Sequence, residues 1–328
     1  MAESKTVDYG PSLFRAVLTW GIYPLCVLVP FAVALIIIDP GNPAAVLPLG
    51  VLSLFTAGIM EWVHPHTLQW RKSFNDIRTD IIHQFLSLPL SLLLRAALIY
   101  LFFTAIAYPA AAFALITWPT QWPLWSQVAL GLVVSEFGTY WRHRIFHEWH
   151  LTWRFHSIHH SSRRLYFLNA PRFHFIDLCL SGLASAIPLA LVGATPQVVV
   201  LVAVFTALHG NWQHANVRYK LGWLNWIFAG AELHRWHHSS IIRHSNSNYG
   251  NNLILFDILF GTRCLPKSEQ NIDEFGLGEH DSAYPQTWWR QSLLPFRWQS
   301  MLKVSSAEKM PIKAALELTG YGLNQARL

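Results

Sequence analysis

The sequence predicts an all-α membrane protein with about four transmembrane helices, a membrane-dipping helical hairpin and a cytosolic metal-binding cap rich in histidine. Three observations lead to this fold class. Of the 328 residues, 52% are hydrophobic and only 13% are charged, which is typical of a polytopic membrane protein. Several apolar runs are long enough to cross a bilayer. The 17 histidines concentrate in short patterns that follow these runs.

The N-terminal part contains the first candidate spans. An apolar run from about residue 13 to 38, which we interpret as an anchor, ends at the turn sequence Asp39-Pro-Gly-Asn-Pro43. A second run, from about residue 44 to 60, returns the chain across the membrane. A third, from about 81 to 117, is predicted to hold one span plus an interfacial segment, because Pro109 precedes a tryptophan cluster.

The C-terminal part contains the fourth span and the predicted hairpin. The fourth span runs from about residue 124 to 140 and leads directly into His143. An apolar block from about 176 to 208 is split by Gly193-Ala-Thr-Pro196, and each half is short for a span, so we predict a helical hairpin. The domain boundaries that follow are 1–122 for the N-terminal spans, 123–265 for the catalytic region, and 266–328 for an interfacial tail.

Basic residues predict the orientation in the membrane. They lie in the second loop and beside the first histidine patterns: Arg71, Lys72, Arg78, Arg142, Arg144, Arg154, Arg163, Arg164 and Arg172. The positive-inside rule then places both termini and the histidines on the cytoplasmic side. The expected membrane is a bacterial inner membrane or one like the endoplasmic reticulum. The net charge of +6 is interpreted as contact with headgroups, since no nucleic-acid-binding module is recognisable.

Two copies of one histidine pattern are the most informative feature of the sequence. They are His156-Ser-Ile-His159-His160 and His234-Arg-Trp-His237-His238. On a helix, positions i, i+3 and i+4 share one face, so we expect each copy to direct three imidazoles to a single place. His143 and His147, four residues apart, add a further pair.

Clustered imidazoles must either bind a metal or repel one another when they are protonated, and metal binding is the better interpretation. The candidate ligands are His143, His147, His156, His159, His160, His234, His237 and His238, with His209 and His214 as an additional pair. This number exceeds one coordination sphere and predicts two metal ions. The three cysteines are far apart. The lack of a thiolate site and the predicted cytoplasmic placement favour iron over copper, while the ligand type is equally compatible with zinc.

Two carboxylates are candidate catalytic residues. Glu136 lies inside the fourth predicted span, where a carboxylate is costly and often functional. It could equally hydrogen-bond the far nitrogen of a ligand histidine or serve helix packing. Glu148 directly follows His147 and is either a ligand, an acceptor for a ligand ring, or a surface partner of Arg144.

The histidine patterns, in this order on a polytopic chain, resemble the fatty acid hydroxylase and sterol desaturase superfamily. The resemblance covers about residues 135–262. It includes Tyr140-Trp-Arg-His-Arg144, His160-Ser-Ser with Asn169 and Arg172, His214-Ala-Asn-Val217, Asn248-Tyr-Gly-Asn-Asn252 and Phe256-Asp-Ile-Leu-Phe-Gly-Thr262. Asn248 and Asp257 resemble positions that order the last histidine cluster in this family.

The resemblance implies an O2-dependent enzyme with two iron ions that hydroxylates or desaturates a lipid, with hydroxylation favoured. Fatty acyl lipids, sterols, hopanoids, carotenoids and ether lipids are candidate substrates. No dinucleotide-binding or cytochrome segment is recognisable, so an external cytochrome, ferredoxin or reductase would supply electrons. Glu148 together with Trp153 and Asn169 is similar to the alkylglycerol monooxygenase branch, which implies tetrahydropterin as an alternative reductant.

A different class of function remains as an alternative. The same histidines could serve a metal transporter or a non-catalytic protein built on this scaffold. A transporter is expected to carry ligands in the middle of its spans. Here only Glu136 is deep in a span, which favours the enzyme.

Overall fold

The described part of the chain is predominantly helical. A computed structural model describes residues 12–37, 46–102, 118–266, 275–278 and 284–300. Within these ranges there are three isolated bridges but no β-strand, so the all-α character of the predicted fold is confirmed. The predicted turn at 39–43, the segment around Pro109 and the part of the predicted interfacial tail beyond residue 300 lie outside the described residues.

Three helices correspond to the first apolar runs. They are α1 (Leu13–Ile37), α2 (Val46–Val63) and α3, which begins at Ile77 and ends at Phe102. By length and composition, α1 and α3 could each cross a membrane, whereas four crossings remain a prediction. Large apolar side chains such as Ile36 and Phe85 face outward, with exposed fractions of 84% and 72%. Such a surface suits contact with lipid.

Four further helices form the core beside the site. They are α4 (Leu124–Glu148), α5 (His150–His160), α6 (Phe175–Leu191) and α7 (Pro196–His214). Glycine lets α4 approach α6 closely, because a Cβ at Gly138 would overlap the carbonyl oxygen of Ala184. One turn earlier, the hydroxyls of Ser135 and Ser185 lie 2.7 Å apart.

The predicted break between two helices at Gly193 is confirmed. α6 ends at Leu191, and Gly193 takes the left-handed conformation with φ of 72°, which glycine adopts without strain. The Thr195 hydroxyl accepts the N–H of Val198 and caps α7. Whether this pair of helices dips into a bilayer or crosses it stays a prediction.

Short helices follow α7 and close the histidine region. They are α8 (Ala231–His237), α9 (Ile242–Ser245), α10 (Leu255–Leu259) and α11 (Trp288–Leu293). Together with α5, these elements and the loops between them form the part of the structure that contacts the histidines.

Buried ion pairs tie the loop after α5 to the start of α3. Arg164 makes a two-pronged contact with Asp76, with N···O distances of 2.7 and 2.8 Å. Arg172 lies 2.5 Å from Asp80, which also accepts the Tyr166 hydroxyl. Both arginines were counted in the positive-inside prediction by their position in the sequence, and the structure shows that they are buried and paired. The cytoplasmic orientation therefore remains a prediction.

Candidate metal centre

Nine buried histidines meet in two groups. Within each group, one nitrogen of every ring lies within 4.8 Å of the others. The first histidine group is His143, His147, His156, His160 and His237. The second histidine group is His159, His214, His234 and His238. The structure thus brings together all eight clustered histidines named from the sequence, and adds His214 from the end of α7.

The copy of the pattern on α5 divides between the two groups. His156 and His160 belong to the first group, whereas His159 belongs to the second. The expectation that all three rings point to a single place was therefore wrong. Helix geometry explains the division: residues four apart differ by only about 40° around the axis, whereas adjacent residues differ by about 100°.

In the copy at α8 the roles of the two groups are exchanged. His234 and His238 belong to the second group, and His237 crosses to the first. The pair separated by four residues again stays together and the intervening position points elsewhere. Each copy therefore contributes to both groups, so the two candidate sites lie side by side and share two elements of the chain.

The spacing of the nitrogens fits bound cations. Four Nε2···Nε2 distances are between 2.9 and 3.1 Å, those of His143–His156, His159–His238, His214–His234 and His234–His238. Two nitrogens at right angles around a metal, each about 2.1 Å from it, are about 3.0 Å apart.

Hydrogen bonds between the rings cannot explain this spacing in the second group. Its three contacts form a chain in which the Nε2 atoms of His234 and His238 each face two other nitrogens. An imidazole nitrogen either donates one proton or accepts one. At most two of the three contacts can therefore be hydrogen bonds, whereas a shared cation accounts for all of them.

The first group leaves buried nitrogens without partners. The Nε2 atoms of His147, His160 and His237 are buried and have no hydrogen bond within the described residues. Burying a polar atom without a partner is costly. A metal ion bound by these atoms would remove that cost, so the residues fit a metal.

Oxygen acceptors hold the rings of the first group from outside. The Nδ1 partners are the carbonyls of Tyr249 for His143 and Ser247 for His237, the carboxylate of Asp177 for His156, and the side-chain oxygen of Asn246 for His147. Such oxygens only accept, so each Nδ1 carries the proton and each Nε2 is free to bind a metal.

The second group has fewer such partners. His214 Nδ1 lies 2.9 Å from the side-chain oxygen of Asn169. The Nδ1 atoms of His159, His234 and His238 are buried without a hydrogen bond in the described part of the chain. The ring of His159 is instead held by stacking on Phe173, with centroids 3.8 Å apart.

Burial keeps all nine imidazoles neutral. It is the largest cause of the lowered pKa in every case, and neighbouring histidines lower most of the pKa values further. The pKa of His237 falls to about 4 and that of His214 to about 3. A neutral imidazole is the form that binds a metal, so neither group has to lose protons near neutral pH.

His209 does not join either group. Its Nδ1 lies 2.7 Å from the hydroxyl of Tyr23, and its Nε2 lies 3.1 Å from the carbonyl oxygen of Ala229. Both ring nitrogens are therefore engaged elsewhere. The expectation that His209 and His214 act as a ligand pair does not hold for His209, because five residues of helix turn the two rings about 140° apart.

Glu136 does not face the histidines. Its carboxylate is fully buried and accepts the backbone N–H groups of Asn251, Asn252 and Leu253. It thereby fixes the loop that follows Tyr249, whose carbonyl holds His143. These contacts describe a positioning role for Glu136, and its direct catalytic role stays a prediction.

Glu148 lies on the surface beside Arg144. Their side chains approach to 2.9 Å, and the Glu148 side chain is 39% exposed. It belongs to neither histidine group. The surface ion pair, one of the alternatives considered from the sequence, describes its position, and a catalytic role for Glu148 stays a prediction.

Asp177 is a site residue that the sequence reasoning missed. Its carboxylate holds His156 Nδ1 at 2.9 Å and also pairs with Arg142. The available signal was an acidic residue in the first turn of an otherwise apolar helix, α6. A carboxylate at such a position is expected to have a buried partner.

The segment before α10 holds the last histidine cluster in place. Asn248 has a φ of 54°, and its side-chain amide donates to the carbonyl of Leu233, which precedes His234. Asp257 accepts the N–H of Tyr249. These contacts agree with the ordering role expected from the resemblance.

A cavity of about 320 Å³ reaches both histidine groups. His143 and His156 of the first group and His159, His214 and His234 of the second are in its wall. The rest of the wall comes mainly from α3, α4, α6 and α7. A molecule in this cavity could contact both candidate metal sites.

Comparison with known proteins agrees with these features. The family model for fatty acid hydroxylase matches residues 128–262. The ornithine lipid hydroxylase OlsE of Rhizobium tropici is 39% identical over 218 residues, which cover 66% of this chain and 66% of the relative. No solved structure matches the chain significantly.

More distant relatives share smaller parts. The alkylglycerol monooxygenase of Xenopus tropicalis is 33% identical over 158 residues, or 47% of this chain and 33% of the relative. Methylsterol monooxygenase 2-2 of Arabidopsis thaliana is 27% identical over 146 residues, or 43% and 54%. The chain thus spans just under two thirds of the length of its first relative and less of the others.

Two adjacent groups of buried histidines in a helical protein have the residues and the spacing of a histidine-rich metal centre. The chain is a member of the fatty acid hydroxylase superfamily, whose relatives named above are oxygen-dependent oxidoreductases acting on lipids.

Proposed function

We propose that the chain is an integral membrane lipid hydroxylase that uses O2 and binds two iron ions, one at each histidine group. The observation that carries this proposal is the convergence of nine buried, neutral imidazoles in two adjacent groups. Membership of the fatty acid hydroxylase family supports the reaction class.

The donor set supports iron. Imidazole binds iron, copper and zinc, and zinc could replace iron during purification. Bound iron would supply the O2 chemistry that side chains cannot perform. The protein would keep the rings neutral by burial and fix their tautomers through Asp177 and the carbonyls of Tyr249 and Ser247.

The substrate would be a lipid that places one segment in the cavity. Fatty acyl lipids, sterols, hopanoids and ether lipids are candidates, in keeping with the substrates named for the relatives. A cavity of about 320 Å³ is at the small end of ligand sites. Only part of a lipid would enter it, and the remainder would stay in the bilayer.

Hydroxylation would insert one oxygen atom of O2 into a C–H bond and release the other as water, which requires two electrons and two protons. A cytochrome, ferredoxin or reductase is the expected electron donor. Tetrahydropterin is the alternative, because alkylglycerol monooxygenases are among the relatives. Desaturation is the alternative outcome of the same oxidation.

The cytoplasmic face is the proposed side for the histidine groups. The positive-inside argument still favours it, although two of its arginines are buried. A donor in the cytoplasm could then reach the site.

Labelling with oxygen-18 tests the proposal. Membranes containing the protein are incubated with labelled O2, a reductant and a donor system, and their lipids are analysed by mass spectrometry. We expect one labelled atom in each product molecule. His160→Ala should abolish this product, whereas His150→Ala, outside both groups, should retain it. An unlabelled product with a new double bond would indicate desaturation, and no histidine-dependent product would contradict an oxygenase.

A further inference from the structure

One stripe of α3 forms a long wall of the cavity. Its members are spaced as one helix face: Gln84, Leu88, Ser91, Leu92 and Arg95. The eleven helical steps from the first residue to the last extend the wall by about 16 Å. The stripe therefore leads away from the histidine groups along a helix that could cross a membrane.

Arg95 is the only charged residue of that stripe. It is half-buried, and its guanidinium lies over Gly182 of α6, where a Cβ would overlap Nη1. Within the described residues it has no hydrogen bond or ion pair. Gly182 thus makes room for a guanidinium group that has the Cys179 thiol nearby but no carboxylate partner in the described part of the chain.

The charge balance of the cavity is positive. Arg95 and Arg142 are in its wall, but no aspartate or glutamate is among the described residues that line it. Arg142 is paired with Asp177, which leaves Arg95 uncompensated. Arginine stays protonated in proteins, and a charge in an apolar region is costly unless an anion accompanies it.

The direction of the Arg95 side chain suits a ligand in the cavity. The first turn of α3 lies at the histidine side, because Asp80 pairs with Arg172 in the loop after α5. Side chains tilt toward the N-terminus of their helix. Arg95 therefore leans back toward the histidines rather than away from them.

We infer that Arg95 binds the negatively charged group, a carboxylate or a phosphate, of the lipid that enters this cavity. The anion fixes one end of the bound segment, so its distance from the histidine groups determines which carbon is presented to them. Arg95 is then a specificity-determining residue. This inference rests on the proposed function for the claim that the bound lipid is the substrate.

Binding to metal-free protein tests the inference without turnover. Radiolabelled dodecanoate, dodecyl phosphate and dodecanol have the same chain and differ only in the head group. Their dissociation constants are measured with protein in a neutral detergent, at a pH where both acids are ionised. We expect at least one anionic probe to bind about 10-fold or more tightly than dodecanol, as a charge-assisted contact implies. Which probe is preferred distinguishes a carboxylate from a phosphate.

Matched variants locate the effect. Arg95→Gln should abolish the preference for the anion, and Arg95→Lys should retain most of it. Arg78→Gln removes the same charge from an exposed position on the same helix and should change nothing. Gly182→Ala keeps the charge but displaces the guanidinium, and should weaken the preference.

Two results would overturn the inference: no preference in the wild type, or a preference unchanged in Arg95→Gln. Thermal unfolding of each variant checks that the fold is intact. The outcome is independent of oxidation, because no metal is needed. A protein that prefers the anion but yields no oxidised lipid would contradict the proposed function and leave the anion site standing.

Discussion

The two histidine groups differ in how their rings are held from outside. Four rings of the first group have an oxygen acceptor at Nδ1. In the second group only His214 has one, from Asn169. Three Nδ1 atoms of the second group are buried without a partner in the described part of the chain.

This difference indicates that the first group is the more completely organised site. The tautomers and orientations of four of its five rings are fixed before a metal binds, which favours binding. The rings of the second group are held by packing and by one another. We therefore expect the first group to retain its ion longer when a chelator competes for both.

The largest expected effect comes from removing one ligand in each group. His237→Ala affects the first group and His234→Ala the second, within the same turn of α8. Activity should fall below about 1% in both variants. This loss is larger than the 10–100-fold loss expected when only a residue that hydrogen-bonds a ligand is removed. Product formation in purified protein measures this, with His150→Ala as control. Retention of activity in either variant would show that its group is dispensable.

Acid should destabilise the metal-free protein through both groups. Burial lowers the pKa of His237 to about 4 and that of His214 to about 3, whereas an unfolded histidine has a pKa of about 6.5. Below about pH 6.5 the unfolded chain therefore binds protons that the folded chain does not bind. The free energy of unfolding falls as the pH drops toward 4. The melting temperature measured from pH 7 to pH 4 should decline steadily. A constant value would mean that the histidines are not buried as described.

A smaller effect should come from the outer carboxylate of the first group. Asp177→Asn keeps the size of the side chain and one acceptor but removes the charge beside His156. We expect the first-group ion to bind about 10- to 100-fold more weakly and the second-group ion to be unaffected. Chelator competition gives both constants, and the single-ligand variants assign them. Equal weakening of metal binding at both groups would contradict the view that Asp177 supports the first group alone.

The smallest effect should come from the surface acid next to the first group. Glu148 pairs with Arg144 and is partly exposed, so Glu148→Gln should change stability by no more than about 0.5 kcal/mol. Metal content and activity should remain within about twofold. A large loss of metal would indicate that Glu148 is a ligand and would contradict its description as a surface residue outside the two groups.

The sequence was sufficient to identify the histidines that the structure brings together. Eight clustered histidines and His214 are all in the two groups, because spacing on a helix determines which rings share a face. The all-α character and the break at Gly193 were equally local features. Each depends on neighbours within a few residues.

The division of the rings between the groups required the folded structure. His159 and His238 come within 3.0 Å although 79 residues separate them, and no local pattern encodes that contact. Asp177 was missed for the same reason, since its partner His156 lies on another helix. His209 was misassigned because its partner, Tyr23, comes from α1.

Metal content per chain tests the central claim most directly. Protein purified with iron is measured by elemental analysis for the wild type, His237→Ala and His234→Ala, with His150→Ala as control. Two histidine-bound sites predict about two ions in the wild type and the control, and one fewer in each ligand variant. Fewer than two ions in a folded, iron-supplied wild type, or variants that retain both ions, would contradict two histidine-bound metal sites.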